Sequence, residues 1–276
     1  MPELPEVETI VRDLRQSGIA GRTIVGASIH WHRTLAEPAA DQFVQRIAGK
    51  RILNVTRRAK YIVINLTADL TLLVHLRMTG RLYFAPKDFP LDPYERAVLH
   101  LDGGQDLRFR DTRKFGRWYF LEDTTPVFSR LGPEPLAEDF SAALFAARLA
   151  KHNRQIKPLL LDQSVIAGLG NIYADEALWL AKVHPTRLSG SLTVRQVFHL
   201  YEAIVKVLTG GIEKRGTSLG ETSVNYSSVT GSYGENQDWL KVFQRTGEPC
   251  ARCGTKIKRL VVAQRSSHIC PKCQRN

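Results

Sequence analysis

Met1-Pro2-Glu3-Leu4-Pro5-Glu6-Val7-Glu8-Thr9 opens the chain. Pro5 suits a first helical turn, and Glu6 and Glu8 favour its positive end. Val7, Ile10, Val11 and Leu14 then mark one apolar face and Gly18 stops it, so the spacing predicts a helix. Pro2 adds chemistry. If Met1 is removed, Pro2 becomes the amino terminus, the one place where proline keeps an N–H. A terminal amine with a pKa of about 8 is partly neutral near neutral pH. A secondary amine that condenses with a sugar aldehyde gives a cationic iminium, which is an electron sink. Glu3 and Glu6 lie within one turn of that nitrogen, where a carboxyl group serves as general acid or base. By itself the stretch also fits an inert terminus followed by an ordinary helix start.

The 276 residues carry a formal net charge of +12. Such an excess suits a polyanionic partner, and the length suits two domains with a small appendage. No run long enough for a transmembrane helix occurs, so no membrane association is expected. The acidic start lacks an apolar signal region, which argues against secretion.

All four cysteines fall late in the chain, as Cys250-x2-Cys253-x16-Cys270-x2-Cys273. Two close thiolate pairs suit one tetrahedral Zn²⁺, each pair on a tight knuckle. Two disulfides or a redox pair would use the same residues, but a reducing compartment and this spacing favour the metal. Four thiolates leave no vacant ligand position, so the zinc is structural. Between the pairs Lys256, Lys258, Arg259 and Arg265 are basic with no intervening carboxylate, and Leu260-Val261-Val262 reads as one strand of a hairpin. A metal-clipped hairpin with only positive charges suits a DNA backbone.

After the first helix the chain reads as short strands at 23–31, 51–56, 61–66, 70–76, 81–85, 97–101, 106–110 and 117–121, with a short helix at 40–48. Many antiparallel strands with flanking helices predict an α+β fold whose N-terminal domain is a β-sandwich. Proline and glycine are densest at 124–135, which places a domain boundary there, at a cleft suited to gripping a substrate. Helical patterns follow. Thr193 with Gln196 is a capping-box signal for a long helix that Gly210-Gly211 closes. The expected division is 1–131, 132–240 and 241–276.

Four further stretches carry candidate chemistry. Arg57-Arg58-Ala59-Lys60-Tyr61 is a basic cluster at a strand start, which also fits a solvated strand end. His75-Leu76-Arg77-Met78 ends another strand, where a lone His or Met is usually structural. Phe109-Arg110-Asp111-Thr112-Arg113-Lys114-Phe115-Gly116-Arg117 sets charges around two aromatics, which suits nucleic acid and equally fits a charged turn. Gly168-Leu169-Gly170-Asn171 leads into a helix expected over 172–181, either as a phosphate site or as a plain turn with Asn171 as N-cap. The stretch 216–237 is a long loop rich in Gly, Ser, Thr and Asn, with Tyr226 and Tyr233 inside it.

The opening MPELPEVET resembles the start of bacterial formamidopyrimidine-DNA glycosylases, and the later motifs extend that resemblance over nearly the whole chain. It implies a β-sandwich, a helix–two-turns–helix domain and a zinc finger. The activity it implies is removal of oxidised purines from damaged double-stranded DNA, with abasic-site lyase activity. By resemblance Pro2 is the Schiff-base nucleophile, Glu3 the proton donor and Glu6 its assistant. Lys60 binds a phosphate beside the lesion and helps β-elimination, and Arg265 grips phosphates and assists δ-elimination. His75 contacts phosphate, Met78 enters the duplex, Arg113 pairs with the orphaned base and Phe115 wedges beside it. Lys157 matches a lysine near the lesion pocket, Asn171 lies on the DNA backbone, and the 216–237 loop closes over the extruded base. The resemblance also implies a bacterial, nucleoid-associated cytoplasmic monomer with one structural zinc as its cofactor. One departure stands at Pro93–Ala97. Glu95 and Ala97 replace histidines common in the family, so no DNA contact is carried there. Two other readings remain open: a sister glycosylase for oxidised pyrimidines, whose members commonly begin PEGPE, and a zinc-finger damage sensor without chemistry.

Overall fold

The computed structural model describes residues 1–220 and 226–276. Residues 221–225 of the Ser- and Thr-rich loop stretch lie outside the described residues. The chain forms two compact units, one of Met1–Phe128 with Lys214–Glu235, the other of Ser129–Glu213 with Asn236–Asn276.

In the first unit, helix α1 (Leu4–Gln16) starts on a reciprocal capping box between Glu3 and Glu6. Glu6 accepts the Glu3 backbone N–H at 2.7 Å. Val7, Ile10, Val11 and Leu14 are fully buried, and each such burial stabilises by roughly 1.5–3 kcal/mol. The remaining elements are β1 (Thr23–Ile29), β2 (Leu35–Glu37), α2 (Ala40–Ile47), β3 (Lys50–Arg58), β4 (Tyr61–Leu66), β5 (Thr71–His75), β6 (Gly80–Pro86), β7 (Glu95–Leu101), β8 (Gln105–Asp111), β9 (Arg117–Leu121) and α3 (Thr125–Phe128). Their order is β2-β9-β5-β4-β3-β1-β7-β8-β6. Among the described residues the two halves of the sheet pair through a short β1–β3 register at Thr23↔Arg51 and Ile24↔Lys50. Inward residues of both halves share one core with α1, among them Val55, Ile62, Ile64 and Val74 from one half and Leu82, Leu99, Leu107 and Phe109 from the other. The expected sandwich is therefore present. The eight expected strands fall on observed ones. Only β2, three residues long and parallel to β9, lies outside them, because so short a segment carries no periodicity.

The antiparallel pairings bring several chain reversals to one end of the sheet. Arg58 pairs Tyr61, Tyr61 pairs His75, His75 pairs Arg117 and Gly80 pairs Asp111. These reversals carry Lys60, Met78, Arg113 and Phe115 in their turns and His75 at the end of β5.

The second unit contains α4 (Ala142–Ala150), α5 (Ile156–Leu161), α6 (Asn171–Leu180) and α7 (Val194–Glu213), then the hairpin β10 (Lys258–Val262) and β11 (Arg265–Ile269). The Thr193 capping box forms both ways: Thr193 N–H donates to Gln196 Oε1 at 3.0 Å, and Gln196 N–H to Thr193 Oγ1 at 3.3 Å. The stop expected at Gly210-Gly211 needs correction, since α7 continues to Glu213. Gly211 serves close approach instead. A Cβ there would sit 2.5 Å from the Tyr173 ring of α6.

Candidate active site

Glu3 and Glu6 are buried at the start of α1. Besides Glu3 N–H, Glu6 accepts the Thr217 backbone N–H at 2.8 Å. One carboxylate thus fixes both the first turn of α1 and the start of the 216–237 stretch. The terminal amine, on Met1 in this chain, is buried beside Glu3, Glu6, Lys60 and Arg113. Burial, the largest cause, and the two cations hold its pKa below 8.0, while the two carboxylates pull the other way. A terminal amine whose pKa is lowered has a larger neutral, nucleophilic fraction near neutral pH.

Lys60 lies in the two-residue turn between β3 and β4, beside Ala59 in the left-handed region (φ 52°), and is 4% exposed. His75 ends β5 with its ring edge-on to Tyr61 at 4.7 Å. Its Nδ1 accepts the Arg77 backbone N–H at 3.1 Å. Burial first, then the Arg77 and Lys60 cations, depress its pKa to about 3. The ring is therefore neutral, and with Nδ1 accepting, Nε2 carries the proton and is the donor.

Met78 and Phe115 are exposed apolar side chains, 39% and 45% accessible. They project from the β5–β6 and β8–β9 turns, whose Arg77 and Lys114 are also left-handed (φ 54° and 59°). The Arg113 guanidinium lies 4.8 Å over the Phe115 ring. Beneath both turns the Phe109 ring is pinched between Gly80 and Gly116. A Cβ added to Gly80 would lie 2.8 Å from that ring, and one added to Gly116 would overlap it outright. Asp111, fully buried, accepts from both turns. The sequence motif contains Asp111 without singling it out; a lone acid among neighbouring cations and aromatics is the signal that marks it.

At the departure from the resemblance, Glu95 is buried and accepts from Tyr83 Oη and, at 3.4 Å, from the buried Arg108. Arg96 donates to the Asp111 carbonyl at 2.8 Å. These residues brace the sheet end from behind.

In the second unit the placements differ from expectation. Lys157 is 1% exposed, with Nζ 2.6 Å from Asp175 Oδ1 and 2.7 Å from the Ser266 carbonyl. It is an internal cation of the helix–finger core rather than a surface contact. Asn171 is the first residue of α6, not its N-cap, which is Gly170; its Oδ1 is buried with no hydrogen-bond partner among the described residues. Arg265 is exposed at the start of β11. It follows a two-residue turn in which Ala263 and Gln264 are both left-handed (φ 45° and 63°).

Asp175 also accepts Ser267 Oγ at 3.0 Å and His268 N–H at 2.8 Å. The adjacent Glu176 accepts three backbone N–H groups, from Lys241, Val242 and Phe243, at 2.8–2.9 Å. Neither acid stands among the candidates read from the sequence. The available signal is two acids inside an otherwise apolar helix, which must find partners when buried.

The four cysteine sulfurs lie within 4.8 Å of one another. Cys253 Sγ is 3.4 Å from Cys270 Sγ and 3.5 Å from Cys273 Sγ. Tetrahedral Zn–S bonds of about 2.3 Å need sulfur separations of about 3.8 Å. Cys250 Sγ accepts N–H groups of Trp179 and Arg252, and Cys270 Sγ that of Cys273, each at 3.4 Å. Such donors favour thiolates, so the residues fit one structural zinc.

Three family patterns match the chain: the formamidopyrimidine-DNA glycosylase N-terminal domain at 1–118, its H2TH domain at 131–223, and a zinc finger found in FPG and IleRS at 247–276. The chain belongs to the formamidopyrimidine-DNA glycosylase family. A formamidopyrimidine-DNA glycosylase from Protochlamydia amoebophila is 49% identical, with all of both chains covered. One from Herpetosiphon aurantiacus is 50% identical over 99% of this chain and all of that one. Among solved structures, the Lactococcus lactis Fpg with abasic-site DNA superposes with a TM-score of 0.92 at 37% identity, over 99% of this chain and 100% of that one. The wild-type L. lactis enzyme with N7-benzyl-Fapy-dG DNA gives 0.92 at 37% over the full length of both.

Proposed function

We propose that this chain is a base-excision repair enzyme that releases oxidised purines from duplex DNA and then cuts the strand as an abasic-site lyase. The observation that carries the residue roles is the buried amine ringed by Glu3, Glu6, Lys60 and Arg113. After Met1 is removed, the Pro2 nitrogen attacks C1′ of the damaged nucleotide, and the C1′–N bond breaks with its electron pair leaving on the base. Glu3 supplies the proton that opens the sugar ring. The resulting iminium acidifies the C2′ proton, and its loss expels the 3′ phosphate; a second elimination expels the 5′ phosphate. Lys60, neutral His75 and Arg265 hold those phosphates. Met78, Arg113 and Phe115 occupy the gap left in the stack. Lys157 acts on DNA only indirectly, through the finger, and Asn171 offers a side chain at the start of α6 to the backbone. Glu6 positions Glu3. Zinc folds the finger and takes no part in bond breaking.

The protein works as a monomer on the nucleoid of a bacterial cytoplasm. The excess of cations suits nucleoid DNA and supports that placement; the oligomeric state is read from the elution volume in size-exclusion chromatography, where a single-chain mass is expected. No helix among the described residues is long and apolar enough to cross a membrane. Borohydride trapping on an oxidised duplex is the test: a covalent adduct on Pro2 is expected, and Pro2→Gly should lose most base-release activity. A mature protein that keeps Met1 and still excises at full rate would exclude Pro2 as nucleophile. An oxidised-pyrimidine duplex processed faster than an oxidised-purine one would favour the sister reading, and absence of any adduct the damage sensor.

A further inference from the structure

We infer that Asp111 is the positioning residue that joins the Met78 turn and the Arg113–Phe115 turn into one insertion unit; this rests on the gap-filling roles proposed above. Asp111 ends β8 and is fully buried, although the four residues after it are exposed. Its Oδ1 accepts the Thr79 hydroxyl, from the turn that carries Met78. The same oxygen accepts the Arg113 backbone N–H at 3.2 Å, and that N–H is shared with Thr79 Oγ1, also at 3.2 Å. Its Oδ2 accepts the Gly116 N–H at 2.7 Å, beyond Phe115. Both oxygens are thus engaged, and each of these donors lies in one of the two turns. The backbone of Asp111 is itself anchored, its N–H on the Tyr94 carbonyl at 2.9 Å and its carbonyl on Arg96 Nε at 2.8 Å.

Met78 and Phe115 stand on separate turns with no covalent neighbour in common, and each turn contains a left-handed non-glycine residue. Exposed tips of that kind would otherwise move independently. The carboxylate makes their bases one rigid body, so the wedge and the orphan-base donor enter a duplex together. A carboxamide at this position cannot replace the carboxylate. With its oxygen kept on Gly116 N–H, the amide must reverse the Thr79 contact and turns its NH₂ toward the Arg113 N–H; turned the other way, it faces Gly116 N–H with a second donor and releases that turn.

The test compares Asp111→Asn, Thr79→Val, Thr79→Ser and Arg113→Ala in the full-length protein. Two reactions are read: base release from an oxidised duplex, and borohydride trapping on a single-stranded abasic oligonucleotide, which has no orphan base and no gap. Misplacing an insertion group by about 1 Å costs up to about 100-fold. Asp111→Asn and Thr79→Val should therefore lose about 10- to 100-fold in duplex base release while trapping on the single strand stays within about twofold. Thr79→Ser, which keeps the hydroxyl, should stay near the parent. Asp111→Asn combined with Arg113→Ala should fall little below Arg113→Ala alone. Equal loss in both reactions for Asp111→Asn and Thr79→Val would make the carboxylate merely structural and overturn the inference. So would an unimpaired Asp111→Asn beside an impaired Arg113→Ala. If Arg113→Ala is also unimpaired, the gap-filling reading itself fails, and this inference with it.

Discussion

Several site candidates stand next to left-handed, non-glycine residues. Ala59 precedes Lys60, Arg77 precedes Met78, Lys114 separates Arg113 from Phe115, and Gln264 precedes Arg265. Such backbones cost of order 1–3 kcal/mol and persist where the surroundings over-determine them. His75 shows how completely its surroundings do so. Between about pH 3 and the ordinary 6.5, the unfolded chain holds a proton on this ring that the native chain refuses. The unfolded state then binds more protons, so stability rises with pH through that window, is complete above 6.5 and is lost on acidification. His75→Gln should flatten that slope, as read by urea unfolding at about pH 4, 5 and 7. The wild-type ring should also contribute no inflection to the activity profile between about pH 5 and 8. The sequence announces Lys60, Arg113 and Phe115 as types in a pattern, because charge and aromaticity are readable from letters. It does not announce their strained neighbours, since nothing in Ala59 or Lys114 signals a positive φ.

The elements are legible in proportion to their length. Strands β4 and β9 fall where the sequence puts them, to the residue, because alternation and β-branched runs bound them. The end of α7 differs because a glycine pair has two uses, stopping a helix and letting one approach another, and only the Tyr173 contact tells them apart. Gly211→Ala should therefore destabilise the second unit by about 1–3 kcal/mol, measurable as a fall in Tm, although alanine is the better helix former. The burial of Lys157 beside Asp175 is likewise not legible in the sequence, because the two residues are 18 positions apart. Asp175→Asn would remove the carboxylate 2.6 Å from the buried Lys157 ammonium and should cost about 3–5 kcal/mol, whereas Lys157→Met with Asp175→Leu should cost less than either single change. Limited proteolysis of the finger reports the loss. The β10–β11 turn makes the opposite prediction. Ala263→Asn with Gln264→Gly relieves two unfavourable backbones and should stabilise the finger by about 1 kcal/mol or more, read as slower zinc loss to a chelator.

At the scale of the molecule, the net charge of +12 makes DNA affinity a function of salt. The logarithm of the binding constant should fall linearly with log salt by about 0.9 for each phosphate neutralised, and Arg265→Ala should reduce that slope by about one. Charge and cysteine spacing, being sums and counts, point to the partner and the metal without any structure. The assignment of segments to units is not readable in that way. Lys214–Glu235 follows the long helix α7 in sequence but belongs with the first unit. There Arg215 grips Asp13 at 2.7 and 2.9 Å, Thr217 reaches Glu6, and Tyr226 and Val229 enter the shared core.

That return has a genetic corollary. A nonsense codon anywhere from 129 to 213 deletes more than the second unit; it also takes the Thr217 donor from Glu6 and the Arg215 partner from Asp13, because Lys214–Glu235 is translated after the break. Recombination that swapped the carboxy-terminal half between distant cousins would have to carry this inlaid ribbon along with it, or mate it with a foreign first helix.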